Sequence, residues 1–191
     1  MKQAICKRIL KWWGWTIGPA GENLKKCVIC VAPHTSNFDF ILGELFYTAI
    51  GRRAYFLMKK EWFFFPMNLL LKAMGGVPIN RDKKTSMTEQ MANEFTKHDT
   101  FCLAVAPEGT RKGVDEWKKG FYYIALKANV PIQIAYLDYV NKEIGILGTF
   151  YPTGNADEDI HHIRSYYQGI SGRHKERFRD QTHSNIISSH E

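Results

Sequence analysis

His34 and Asp39 are the pair of side chains in this sequence best suited to moving a proton. They stand in a His-x4-Asp arrangement within Pro33-His34-Thr35-Ser36-Asn37-Phe38-Asp39. A carboxylate beside an imidazole fixes its tautomer and stabilises the imidazolium that forms when the ring accepts a proton. That is the equipment of a general base. Two other stretches suit anions. Gly75-Gly76-Val77-Pro78-Ile79-Asn80-Arg81 sets an arginine fork on a glycine turn, a geometry fit for bidentate contact with a phosphate. Glu108-Gly109-Thr110-Arg111-Lys112-Gly113 packs a carboxylate, a flexible glycine, a hydroxyl and cations into one turn that can cradle an anion. Each stretch alone also has a plain reading: a strand end beside a helix start, a surface arginine, a polar loop.

The elements around these residues are legible. Cys27-Val-Ile-Cys-Val-Ala32 has the length and β-branched content of a buried strand, and Pro33 stops it because proline cannot donate to a ladder. Ser36 or Asn37 can cap the apolar helix over 38–50, and Ser36-x-x-Asp39 has the form of a capping box. A second strand is expected over 54–58, a short extended piece at Val77-Pro78-Ile79, and a third strand over 101–106 that exits into the Glu108 turn. Ser86-x-x-Glu89 opens a helix over 86–98 with Met87, Met91 and Phe95 as its apolar stripe. A helix over 118–128 precedes a hairpin of 132–140 and 143–150 across Asn141-Lys142. Asn155 is the expected cap of a last helix that turns Ile160, Ile163 and Tyr167 inward. Of the aromatics Trp62-Phe-Phe-Phe65, at least two are expected in the core; the run could otherwise touch a bilayer or an acyl chain.

The chain has 191 residues and a net charge of +7, enough length for one domain with a core and a balance that favours an anionic partner. Residues 1–26 hold Lys2, Lys7, Arg8, Lys11, Lys25 and Lys26 against Glu22 alone. Residues 2–16 read as an amphipathic helix in which tryptophans sit beside cations, which suits a membrane surface as well as it suits packing on the domain. The expected organisation is this helix over 1–20, a catalytic domain over 21–179 and a flexible tail over 180–191. Cys27-x-x-Cys30 would place its thiols on opposite faces of a strand, and with four cysteines in all no zinc set or disulfide framework is expected. His161-His162 diverge on a helix. No signal peptide or membrane-spanning run is expected. No nucleic-acid motif accompanies the basic charge, so nucleic acid is not an expected partner.

Taken together and in order, His34-x4-Asp39, the Gly75–Arg81 block, Glu108-Gly-Thr-Arg111 and Val130-Pro-Ile132 resemble the blocks of the glycerolipid acyltransferase family, which includes the 1-acylglycerol-3-phosphate acyltransferases. Pro33, Lys112 and Gln133 stand where many members carry other residues. The resemblance implies an α/β fold with a mixed, mostly parallel sheet covered by helices. It implies transfer of a fatty acyl group from acyl-CoA or acyl-carrier protein to the hydroxyl of a lysophospholipid, without a metal or further cofactor. His34 would be the base and Asp39 its orienting acid. Arg81 would hold the acceptor's phosphate with Thr110 and Arg111 nearby, and Glu108 and Gly109 would shape that pocket, Glu108 bonding the acceptor or Arg111. A lipid acceptor implies a peripheral place at the cytoplasmic, inner face of a membrane. An acceptor without phosphate, such as a lyso-aminolipid, and a non-catalytic membrane-binding protein stay open as alternatives.

Overall fold

The structure, a computed structural model, describes residues 1–79 and 86–178. Arg81 and the tail expected from residue 180 lie outside the described residues. The chain runs α1 (Lys2–Trp12), β1 (Thr16–Ile17), β2 (Lys26–Ala32), α2 (Phe38–Ala49), β3 (Tyr55–Lys59), α3 (Met67–Met74), β4 (Gly76–Ile79), α4 (Met87–Thr96), β5 (Phe101–Val105), α5 (Gly120–Ala128), β6 (Ile132–Asp138), β7 (Glu143–Phe150) and α6 (Ala156–Ser165). The strands form one seven-stranded sheet in the order β1-β7-β6-β2-β5-β3-β4. Every ladder is parallel except the β6–β7 hairpin. This is the mixed, mostly parallel α/β sheet that the sequence leads one to expect.

Helices cover both faces, which is why the central strands read as continuous apolar runs. Val28, Cys30 and Ala32 of β2 pack with α4, α5 and α6 on one face. Cys27 and Ile29 pack with α1 and α2 on the other. The pair Cys27 and Cys30 is therefore split between two cores, and all four cysteines are free thiols. Phe101, Leu103, Ile132 and Ile134 have no exposed surface, each worth roughly 1.5–3 kcal/mol of burial. Gln133, polar on a buried strand, is satisfied by donating to the Glu22 carbonyl at 2.7 Å. Among the described residues no helix is long and apolar enough to cross a membrane.

Several local expectations are corrected. The first helix ends at Trp12, short of residue 16, because Gly14 takes a left-handed φ of 78°. The chain then reverses, buries Trp15, and adds Thr16–Ile17 to the sheet beside β7. Met87 is 48% exposed at the start of α4 and only Met91 and Phe95 of that stripe are buried. Asn155 makes no side-chain cap to α6. Asp159 does the local work instead, accepting from the Thr153 N–H and the Tyr122 hydroxyl, both at 2.7 Å. Of the four aromatics before Pro66, Trp62, Phe64 and Phe65 are exposed and Phe63 alone is half-buried.

Candidate active site

Three parallel strands end at the same edge of the sheet, and the site is built on their exits. β2 lies between β5 and β6, with Cys30 level with Val105 on one side and Ala32 level with Tyr136 on the other. The loops after β2, β5 and β6 are therefore neighbours, as ligand-binding loops of open α/β sheets are. They carry His34, Glu108 and Tyr139.

β2 ends at Ala32, and the chain turns through Pro33–Asn37 into α2. Asp39, in the first turn of that helix, reaches back over the loop. Its Oδ2 accepts the N–H groups of Thr35 and Ser36, each at 2.8 Å, and lies 3.2 Å from His34 Nδ1. This is the carboxylate arm of the expected capping box. The hydroxyl arm differs, since Ser36 Oγ accepts from Phe38 N at 3.1 Å and not from Asp39. The Asp39 side chain is 1% exposed and that of His34 is 26% exposed. With Nδ1 facing the carboxylate, the proton sits on Nδ1 and the lone pair of Nε2 is the one left for a ligand. A half-open imidazole backed by a buried carboxylate can accept and return a proton.

Glu108 is placed differently from the expectation that it contacts an acceptor or Arg111. Its carboxyl oxygens accept the His34 backbone N–H at 3.0 and 3.2 Å, and the residue is 3% exposed. It ties the β5 loop to the β2 loop from beneath. Burial, with Asp39 close by, pushes its carboxyl up to about 8, against the pull of the His34 N–H. The folded state thus holds a proton that the unfolded chain releases near the ordinary value of 4.5. Stability is expected to fall as pH rises from about 4.5 to about 8, by up to about 1.4 kcal/mol per pH unit for one such group. Glu44, raised to about 7 by burial, adds a slope of the same sign. Unfolding free energy measured from pH 5 to 9 should decline less steeply in Glu108→Gln than in the parent chain. Equal slopes would mean that Glu108 is ionised in the folded protein across that range.

The remaining residues of the turn stay near the surface. Gly109 has φ 63°, a left-handed backbone that favours glycine. Thr110 Oγ1 accepts from Lys112 N at 3.2 Å, and Arg111 is exposed. Among the described residues no hydrogen bond or ion pair joins Thr110 or Arg111 to His34 or Asp39. β4 ends at Ile79, two residues before Arg81 in the chain. Among the described residues no cluster of three or more His, Cys, Asp or Glu could hold a metal.

Two parts of the site have no signature in the sequence. Tyr139, just past β6, donates its hydroxyl to Asp39 Oδ1 at 2.5 Å, and its ring packs edge-on against Trp15. Burial and the Asp39 bond raise its phenol far above the usual value, so it remains a donor. The segment 171–178 then crosses the loops. The Ser171 carbonyl accepts from Tyr139 N at 2.9 Å, and His174 N donates to Thr35 Oγ1 at 3.3 Å.

A family model described as Acyltransferase matches residues 19–136, well over half of the chain. Human 1-acyl-sn-glycerol-3-phosphate acyltransferase beta is 30% identical over 117 residues, covering 58% of this chain and 41% of that protein. The chain thus aligns with less than half the length of that relative. The crystal structure of the 1-acyl-sn-glycerophosphate (LPA) acyltransferase PlsC from Thermotoga maritima superposes with a TM-score of 0.58. It is 19% identical, and the match covers 88% of this chain and 75% of that one. At that identity the likeness is one of fold.

Proposed function

Since the chain belongs to the acyltransferase family, we propose that it moves a fatty acyl group from an acyl thioester, acyl-CoA or acyl-carrier protein, to the hydroxyl of a lysophospholipid such as 1-acylglycerol-3-phosphate. The observation that carries this reading is the half-open His34 ring held 3.2 Å from a buried Asp39. His34 Nε2 takes the proton of the acceptor hydroxyl while Asp39 stabilises the imidazolium. The acceptor oxygen attacks the thioester carbonyl, forming a C–O bond. The C–S bond then breaks, and the proton returns from His34 to the departing thiolate. No enzyme nucleophile takes part. Glu108 and Tyr139 position the pair from below and behind. Arg81, Thr110 and Arg111 receive the acceptor's phosphate, with Gly109 keeping that turn open.

A lipid acceptor requires docking on a bilayer. Trp12 is 84% exposed on a helix that carries Lys2, Lys7, Arg8 and Lys11, while Leu10 of the same helix is buried. Phe64, Phe65, Leu69 and Leu70 are each more than half exposed around the start of α3. Such apolar surface is costly in water and suits the interfacial region of a membrane; a peripheral place at the inner face is part of the proposal.

The test is incubation of the purified chain with defined acyl-CoA and a panel of lyso-lipids, phosphorylated and phosphate-free, with products identified by mass spectrometry. The expected result is one new ester for each thiol released, with a phosphorylated acceptor preferred. Thioester loss without ester formation would identify a hydrolase, and no turnover with any acceptor would refute acyl transfer.

A further inference from the structure

The segment from Ser171 to Phe178 carries Arg173, His174, Lys175 and Arg177 against Glu176 alone, and it is anchored at both site loops. Gly172 sits so close to the His34 loop that a Cβ there would come within 2.8 Å of Thr35 and 3.1 Å of Pro33. A Cβ at Gly113, at the end of the Glu108 turn, would lie 3.4 Å from the Arg177 backbone. The anchoring bonds from Tyr139 N to Ser171 O and from His174 N to Thr35 Oγ1 bracket Arg173. Its backbone is therefore held on the loop that bears the proposed base.

The Arg173 guanidinium lies over the Phe38 ring, 5.4 Å from its centroid, and Nη1 is 3.4 Å from Ser36 Oγ. Those contacts occupy one edge and one face of the fork. The residue is exposed, and among the described residues no carboxylate pairs with it. Its charge reaches Tyr139, whose hydroxyl bonds Asp39. The fork thus stands over the turn between His34 and Asp39 with most of its N–H groups uncommitted, and a guanidinium in that state matches a phosphate bidentately. In 1-acylglycerol-3-phosphate the phosphate is on the carbon next to the one bearing the reacting hydroxyl. A hydroxyl delivered to His34 necessarily brings the phosphate within a few bonds of the ring.

We propose that Arg173 is an anion-binding residue of this site, carried over the His34 loop by the segment 171–178, and that it takes a phosphate monoester of a substrate seated against His34. The proposal rests on the acyl-transfer reading for the identity of that substrate, but binding can be measured without turnover. The phosphate is the acceptor's: the 3′-phosphate of CoA lies a full pantetheine arm from the reacting thioester, so coenzyme A serves as the control probe.

Calorimetric titration of the full chain and of Arg173→Gln with a water-soluble short-chain lysophosphatidate, and separately with coenzyme A, tests this. The expected result is an affinity for lysophosphatidate about tenfold or more weaker in Arg173→Gln, the scale of a lost charge-assisted contact, with coenzyme A binding unchanged. Arg173→Lys, which keeps charge and loses the fork, should fall between. Weakening for coenzyme A alone, or to the same degree for both probes, would overturn the proposal, and weakening for lysophosphatidate alone bears it out. In kinetics KM for that substrate should rise with kcat largely kept, and KM for a phosphate-free monoacylglycerol should not change. Unchanged affinity for both probes, no binding of either by the parent chain, or an equal fall of kcat with every acceptor would overturn the proposal and leave Arg173 as a brace for Ser36 and Phe38. A parent chain that binds a probe but transfers no acyl group would refute the acyl-transfer reading while this binding result stood.

Discussion

His34→Ala is expected to lower acyl transfer by about 10²–10⁴-fold, the usual worth of a positioned general base, while the protein stays folded. The two halves of that expectation have separate origins. The imidazole is the proposed base, with Nδ1 turned to Asp39, so its loss removes the proton acceptor. The bond that ties the two loops together runs from the His34 backbone N–H to Glu108, and alanine keeps it. The removed ring is 26% exposed, so thermal unfolding should shift by a few degrees at most. Steady-state rates with matched melting curves check both halves. A folded His34→Ala chain that turns over at the parent rate would exclude His34 as the base.

Substitution of Asp39 should separate stability from chemistry. Asp39→Ala leaves the N–H groups of Thr35 and Ser36 and the hydroxyl of Tyr139 facing a void in a buried setting. Each unsatisfied donor costs about 1–3 kcal/mol, so this variant should melt well below the parent as well as lose activity. Asp39→Asn keeps an oxygen toward the two amides and can turn its NH₂ toward Tyr139, whose hydroxyl can accept. It should melt close to the parent. Its oxygen still accepts from Nδ1, so the tautomer is kept, but it cannot offer the negative charge that stabilises an imidazolium. Its rate should fall by about 10²–10⁴-fold. An Asn variant with the parent's rate would show that Asp39 only holds the loop. One that unfolds as readily as the Ala variant would show that the charge itself sustains the fold here.

The tight packing of the β2 exit explains why so much depends on few atoms. The Asp39 carboxylate closes a short helix-start turn, orients the ring and receives Tyr139, so three structural levels meet in one side chain. Tyr167 adds to this from the opposite face. Its hydroxyl lies 2.9 and 3.1 Å from the carbonyls of Cys30 and Ala135, which braces β2 and β6 just before they exit.

What the sequence by itself determined is local. Short continuous apolar runs mark β2 and β5, proline follows each of them, and His34 and Asp39 are five positions apart, close enough for a helix-start turn to bring the carboxylate back to the ring. The opposite facing of Cys27 and Cys30 follows from the period of a strand. The exposure of Trp62, Phe64 and Phe65 departs from the core placement expected for at least two of the run, because hydrophobicity alone does not tell a core residue from one kept exposed. Met87 is exposed for a related reason: helical spacing is blind to which first-turn positions overhang the core.

Only the tertiary structure decided the rest. Glu108 and His34 are 74 positions apart, Tyr139 and Asp39 are 100 apart, and His174 and Thr35 are 139 apart. They meet because β5 is inserted between β2 and β3, and β6 lies against the other side of β2. Strand order is set by how helices and crossovers fill the two faces of the sheet, a property of the whole packed core that no short run of residues carries. For the same reason Glu108, an apparent anion-pocket residue in the sequence, is in the fold the buried support of the His34 amide.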